Sequence, residues 1–375
     1  MSERVKPRLL PMDLPYLILV VVISVIGLIM MFSASYATAS ERFNSPTYFF
    51  TRQGPYLLLG WAVMLLVSRV NYQYFRALSI PLMSVAMVLM ALVPFIGESR
   101  NNARRWINVF GISVQPSEIV KIGVIVLFSA MITAYGEKMS TFRHGVLPFF
   151  GILAAVAGLL VLQPHLSGAV LTVGVGAVLL FCGGTRLRYF AAGALVATLG
   201  GIFIVTTMPY AQQRIAIWRN PWLDPQGKGY QIIQSLLAVG SGGMFGLGLG
   251  KSRQKLLYLP EQHNDFVFAI VCEELGFVGT MAVLTLFLFL VLRGYWIAAR
   301  ARDRFGSLLA IGVTSHIALQ TFLNVAVVTN LIPVTGISMP FFSYGGTALL
   351  MMLAETGIVL AVSRQIRLQT GETGV

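Results

Sequence analysis

Leu259-Pro-Glu-Gln-His-Asn-Asp-Phe-Val-Phe-Ala-Ile-Val-Cys-Glu-Glu-Leu-Gly276 changes character halfway along. Its first half is polar and charged. Its second half runs into an apolar segment that continues to Leu292. A bilayer span needs about 20 mostly apolar residues, so the segment 265–292 reads as a membrane helix with a carboxylate, Asp265, at its polar mouth.

The same kind of run recurs along the chain. Ten segments are predicted to cross a membrane: 14–36, 54–69, 78–96, 115–135, 146–163, 167–183, 189–208, 265–292, 306–330 and 340–363. The totals agree. The 375 residues are 56% hydrophobic and 11% charged, where a soluble chain carries about 25% charge, and mean hydropathy is +0.77. The runs are continuous rather than alternating, which argues against a β-barrel. The expected fold is an all-α polytopic membrane protein, one domain over 1–375. Ten transmembrane helices are expected, with a large extracytoplasmic loop, 209–264, between helices 7 and 8. The run from Leu14 follows Arg4, Lys6 and Arg8 and imitates a signal peptide. It is longer than the roughly 7–15 residues of such an apolar region, so it reads as an uncleaved first helix. No period of 20–50 residues repeats and no inverted repeat is visible. Cys182 and Cys272 both lie in apolar segments and read as small core residues rather than a disulfide.

Ten spans put both termini on one side. That side has Lys or Arg in every segment, which makes it the cytoplasm. The net charge of +13 is therefore mostly topological, not a nucleic-acid surface. The remaining cations collect on the outer side: Arg42 and Arg52, then Arg100, Arg104, Arg105 and Lys121, then Arg214, Arg219, Lys228, Lys251, Arg253 and Lys255. This runs against the topological bias. It suggests an anionic ligand there, with contact to lipid headgroups as the plainer alternative. Within loop 209–264, residues 230–239 read as a short amphipathic helix on or in the membrane. The glycine run 240–250 ends Gly250-Lys251-Ser252, but a phosphate-binding loop needs Gly where Phe245 stands, so a close-packed loop is expected.

The 14 carboxylates narrow the chemistry. Most lie in loops on one side or the other. Glu118 and Lys121 are three apart on one helix face and can offset each other's burial. Glu273 and Glu274 lie about 12 Å below Asp265 at 1.5 Å per residue and are expected to buttress the fold. Asp265 sits at the first turn of its helix beside water, where capping and catalysis are both open to it. His263 is placed to tune or orient it. His144, His165 and His316 are scattered, no cluster has metal-ligand spacing, and no Ser–His pairing suggests a covalent mechanism.

Several blocks resemble the SEDS family (shape, elongation, division and sporulation), to which FtsW, RodA and SpoVE belong. They are Arg104-Arg105-Trp106-Ile107, Gln115-Pro116-Ser117-Glu118 with Lys121, Gln163-Pro164-His165, Asn220-Pro221-Trp222, Ser252-Arg253-Gln254-Lys255, His263-Asn264-Asp265-Phe266, Pro333-Val-Thr-Gly336 and Pro340-Phe-Phe-Ser-Tyr-Gly-Gly346. The block around Gln163 ends in His165 where the family has Asp, and Asn264 replaces the usual Thr. Asn324-Val-Ala-Val-Val328 and the setting of His263 look closer to FtsW or SpoVE than to RodA. The resemblance implies peptidoglycan polymerisation from lipid II at the outer face of the bacterial cytoplasmic membrane during division or sporulation, at the septum. It also implies a class B penicillin-binding protein and other divisome membrane proteins as partners. It makes the position of Asp265 the essential acid and implicates those of Trp106, Glu118 and Lys121 in activity.

The residues suit that chemistry. An attacking sugar hydroxyl needs a general base, and a pyrophosphate leaving group needs cations more than an acid. A glycosidase would show paired carboxylates. Asp265 is thus the expected base, with Arg105, Lys121 and one of Arg214 and Lys255 on phosphates. No cofactor is called for, and a divalent cation on the pyrophosphate is left open. A lipid II flippase and a non-catalytic scaffold that recruits a transpeptidase are the competing readings. A flippase would carry functional charge on both faces, and a scaffold would need neither Asp265 nor the Glu118–Lys121 pair.

Overall fold

A computed structural model describes residues 11–100, 103–109 and 112–366. Arg4, Lys6 and Arg8 and both chain termini, which carry the expected cytoplasmic orientation, lie outside the described residues.

The helices follow in chain order as α1 (Leu14–Phe43), α2 (Tyr48–Val67), α3 (Gln73–Ile96), α4 (Pro116–Tyr135), the single turn α5 (Phe142–Gly145), α6 (Leu147–Leu162), α7 (Leu166–Cys182), α8 (Leu187–Thr207), α9 (Pro209–Arg219), α10 (Tyr230–Ser241), α11 (Val267–Ala299), α12 (Arg304–Val328) and α13 (Gly346–Ser363). Each predicted segment falls on a helix. Among the described residues, eight helical stretches are long and apolar enough to cross a membrane, and Leu166–Cys182 is a shorter apolar helix. The chain is a multi-pass membrane protein.

Helix α1 shows how the sequence builds these elements. The Asp13 carboxylate accepts from Tyr16 N at 2.9 Å, Pro15 opens the first turn, and Asn44 closes the helix at φ 51°. Tyr16, Val20, Ile23, Met30 and Ala34 share one buried stripe, while Leu14, Ile18, Val22, Val25 and Ile29 are exposed. Without water to drive helices together, one face packs and the other meets lipid. The helix runs on to Phe43, past its predicted end, so Arg42 rides on a helix rather than a loop. Helix α12 packs on α4, α7, α11 and α13 at the centre, and α8 touches α9. The described side chains of α8 are exposed or half-buried.

Three outer regions differ from expectation. The predicted loop 97–114 contains an antiparallel sheet, β1 (Glu98–Arg100), β2 (Ala103–Val109) and β3 (Ile112–Val114). It pairs Glu98 with Trp106 and Ile107 with Val114, and it is pinned by the buried Ile107 beside the exposed Asn108. Loop 209–264 contains α9, which was not expected, and α10, which falls on the short helix expected over 230–239. Ile232, Ile233 and Ala238 of α10 are buried, and Ser235 Oγ donates to Val328 O at 2.8 Å. Residues 331–345, partly assigned to the last span, precede α13 without helix. Cys272 is buried as expected, but Cys182 is exposed at the end of α7, and both are free.

The glycine run is a strap through α11. Gly276 breaks that helix at φ 67°. Leu247 N and Gly248 N donate to Glu273 O and Glu274 O, both at 3.0 Å, and Phe277 N donates to Gly243 O at 2.8 Å. A membrane helix tolerates irregular backbone where protein satisfies it. A Cβ on Gly276 would stand 2.1 Å from Gly246 N, which is why glycine is needed. The Glu273 carboxylate accepts from Ser252 Oγ and, at 2.9 Å, from Arg253 N. Glu274 accepts from Gly250 N at 3.0 Å and Ser33 Oγ at 2.8 Å. Both acids do buttress the fold, and what they hold is chiefly this loop.

Candidate active site

A cavity of about 1480 Å³ is lined by the end of α1, the start of α2, β2, the first turns of α4 and α7, α9, and residues from 257–266 and 331–346. It gathers Asp265, His263, Arg105, Trp106, Glu118, Lys121 and Arg214. The elements that carry them are distant in sequence.

Asp265 lies just before α11, whose N-cap is Phe266 with no side-chain capping bond. The capping alternative therefore falls away. The backbone around it is fastened: Asn324 Nδ2 donates to Asp265 O at 2.8 Å, Ser343 Oγ to Asn264 O at 2.7 Å, and Tyr344 N to His263 O at 2.8 Å. Among the described residues no hydrogen bond or ion pair reaches the carboxylate itself. Gly336 comes so close that a Cβ there would stand 3.1 Å from Oδ2. The carboxyl is half-buried at its surface yet enclosed by protein. Burial first, and Glu261 second, push its pKa up to about 6 against the opposing pull of Arg105. The sequence reading assigned the tuning of Asp265 to His263. The structure instead shows His263 packed on Phe49, ring centroids 4.5 Å apart, with burial pushing its pKa down. The charge that acts on Asp265 from this turn is that of Glu261, although His263 lines the same cavity.

Lys121 Nζ meets Glu118 Oε2 at 2.7 Å across one turn of α4. Arg105 Nε donates to Gln163 O at 3.4 Å and its Nη2 to Pro164 O, which ties β2 to the α6–α7 turn. Arg214 Nη1 donates to Val334 O at 2.6 Å. Lys255 does not belong to the site. It is buried away from the cavity, its Nζ 2.8 Å from Glu274 Oε1 and 3.0 Å from Ser33 Oγ, so its charge is already committed to the loop strap.

Sequence reasoning missed Arg42, Arg52, Glu261, His165 and the 331–346 segment as parts of one wall. Arg42 and Arg52 had a signal, as cations on the outer side. The 331–346 segment had one in its two family-like blocks, Pro333–Gly336 and Pro340–Gly346, but its polar backbone only becomes a cavity wall once it folds between helices. His165 is neutral: burial, then Arg105 and Lys121, push its pKa down to about 3. Together the site offers an elevated carboxylate in one cavity with Arg42, Arg52, Arg105, Lys121 and Arg214, suited to accept a proton beside an anion. Among the described residues no group of three or more His, Cys, Asp or Glu is placed to hold a metal ion.

Comparison with known proteins bears on what such a site serves. Residues 14–368 match the FtsW/RodA/SpoVE family model, described as cell cycle protein. The chain is 42% identical over 357 residues to stage V sporulation protein E of Bacillus subtilis, covering 95% of this chain and 98% of that one. It is 40% identical over 358 residues to a probable peptidoglycan glycosyltransferase FtsW of Geobacter sulfurreducens, covering 95% and 96%. Its fold is similar to a chain of a peptidoglycan synthase complex that coordinates polymerization and crosslinking (TM-score 0.80, 28% identity, covering 95% and 98%). It is also similar to the rod shape determining protein RodA of Thermus thermophilus (TM-score 0.71, 27% identity, covering 96% and 98%).

Proposed function

The chain belongs to the FtsW/RodA/SpoVE family of cell cycle proteins, and from that premise we propose how it works as a peptidoglycan glycosyltransferase, with Asp265 as general base. The acceptor is the sugar 4-hydroxyl of lipid II, and the donor is a glycan strand held on a lipid pyrophosphate. Asp265 takes the hydroxyl proton as the oxygen attacks the anomeric carbon. The new C–O bond forms while the bond to pyrophosphate breaks, and the electron pair leaves with the pyrophosphate. A single displacement inverts the centre, giving a β-1,4 link from an α-linked donor. Arg105, Lys121 and Arg214 offset the leaving charge, and Trp106 offers an aromatic face to sugar.

The observation that carries this is the Asp265 carboxyl with its pKa near 6, in a cavity that it shares with those cations. A general base works best with a pKa near the working pH. Of the other acids on the cavity, Glu118 is paired with Lys121 and Glu261 accepts from Asn264 Nδ2 at 2.5 Å, which leaves Asp265 as the base of this reading. The chain is read as working at the division septum with a class B penicillin-binding transpeptidase and further divisome proteins, both termini cytoplasmic. A divalent cation, if used, would be carried by the pyrophosphate. Asp265→Asn, purified with its partner and given lipid II, should form no polymer. Undiminished polymerisation would reject Asp265 as the base.

A further inference from the structure

Two helices begin at the same cavity in the same unfinished way. Helix α4 opens Gln115-Pro116-Ser117, and α7 opens after Gln163-Pro164-His165, with Ser167 in its first turn. Neither N-cap side chain, Gln115 or His165, bonds to its helix. The two helices pack on each other. Ser117, His165 and Ser167 all line the cavity, at 4%, 9% and 2% exposure. Ser117 Oγ, His165 Nδ1 and Ser167 Oγ are nevertheless buried with no hydrogen-bond partner. Native proteins rarely leave such groups idle, and a ligand is one explanation for a set of them.

We propose that the N-termini of α4 and α7 form a cradle for the pyrophosphate of a lipid-linked substrate, in which His165 contributes a neutral hydrogen bond. This rests on the cavity being the polymerase site. First-turn N–H groups of a helix lack intrahelical partners and carry partial positive charge, which makes them ready anion ligands. Broken helices in transporters aim these ends at anionic substrates. Here two such ends open on one cavity; α4 offers Ser117 N, since Pro116 has no N–H and Glu118 N donates to Gln115 O at 3.0 Å, and α7 supplies the rest. Arg105 holds the α6–α7 turn against β2 through the Gln163 and Pro164 carbonyls, so the guanidinium and the α7 end are positioned together. Lys121 is largely balanced by Glu118 at 2.7 Å, so the cradle without ligand holds little uncompensated charge. His165 stays uncharged between Arg105 and Lys121. It can therefore orient a phosphate oxygen without adding to the repulsion among cations.

The test uses the full-length protein in phosphatidylcholine nanodiscs with farnesyl pyrophosphate as the probe. Farnesyl monophosphate, inorganic pyrophosphate and phosphatidylglycerol serve as competitors. Farnesyl pyrophosphate should bind more tightly than the monophosphate. His165→Ala should weaken its binding about tenfold, the scale of one hydrogen bond to a charged group. His165→Asn, which places an amide near Nδ1, should restore most of it. Melting temperatures equal to the parent's exclude misfolding, and Ser117→Ala with Ser167→Ala supplies a second variant. Competition by inorganic pyrophosphate would support the cradle and assign recognition to the phosphoryl groups. Parent-like binding in both His165→Ala and the double serine variant would overturn it. So would preference for phosphatidylglycerol, which would make the pocket a headgroup site. Asp265→Asn should bind the probe like the parent while failing to polymerise. If it polymerises normally the base assignment falls, and if His165→Ala and the double serine variant both bind normally the cradle falls.

Discussion

Replacing Lys255 with methionine separates a structural cation from a substrate-binding one. Lys255 and Glu274 have side chains only 6% and 0% exposed, and their charges meet at 2.8 Å. Lys255→Met keeps the aliphatic bulk and leaves Glu274 buried with Ser33 Oγ, Gly250 N and Ser252 N as its remaining donors. Removing one member of a buried ion pair costs about 3–5 kcal/mol, because the other charge stays desolvated. The remaining donors place the expected loss toward the lower end. With an unfolding entropy of about 2.1 cal/mol/K per residue, such a loss lowers Tm by roughly 5 °C in a chain of this length. Thermal unfolding in detergent, followed by tryptophan fluorescence, reads this directly. Lys255→Met with Glu274→Gln should recover a large part of the loss, since the stranded charge is gone. Polymer formed per folded molecule should stay near the parent's in both. An unchanged Tm combined with weakened binding of pyrophosphate lipid would refute the reasoning and return Lys255 to the substrate.

Other perturbations probe the site and its frame. The rate of the parent enzyme should climb as pH rises through about 6, where Asp265 ionises in the folded state, read as kcat/KM against pH. Because that folded pKa lies above the ordinary carboxylate value of 3.8, the ionised form is disfavoured by folding. Asp265→Asn should therefore raise Tm at pH 7.5, and the gain should fade as pH falls from about 6 toward 4. Asn324→Ala removes the amide that holds Asp265 O at 2.8 Å and Ile337 O at 2.6 Å; kcat should fall by on the order of tenfold with KM nearly unchanged, the mark of a misplaced base. Gly276→Ala forces a Cβ to within 2.1 Å of Gly246 N at φ 67°, so folded yield in membranes should drop well below that of Gly54→Ala in α2, where a Cβ meets nothing within 4 Å.

The sequence alone determined that the chain crosses a membrane many times as helices, because apolar runs of that length have no other stable home. It also isolated Asp265 and the Glu118–Lys121 pair, since ionisable groups at membrane depth are too costly to be incidental. The specific blocks around those residues carried the family. Tertiary structure decided which of the outer cations work together. Lys255 and Arg105 look alike in sequence, yet one is sealed against Glu274 and the other faces Asp265. That depends on where loop 242–255 docks, and its docking depends on a break in α11 that only becomes stable when the loop's own N–H groups and carbonyls complete it. Tertiary structure likewise decided that the charge of Glu261, rather than the ring of His263, acts on Asp265. Side chains two and four residues away are equally plausible neighbours until the chain's turn before α11 is known. The cavity wall of residues 331–346 and the paired ends of α4 and α7 are of the same kind. Their chemistry lies in backbone groups, which every residue carries and only the fold aims.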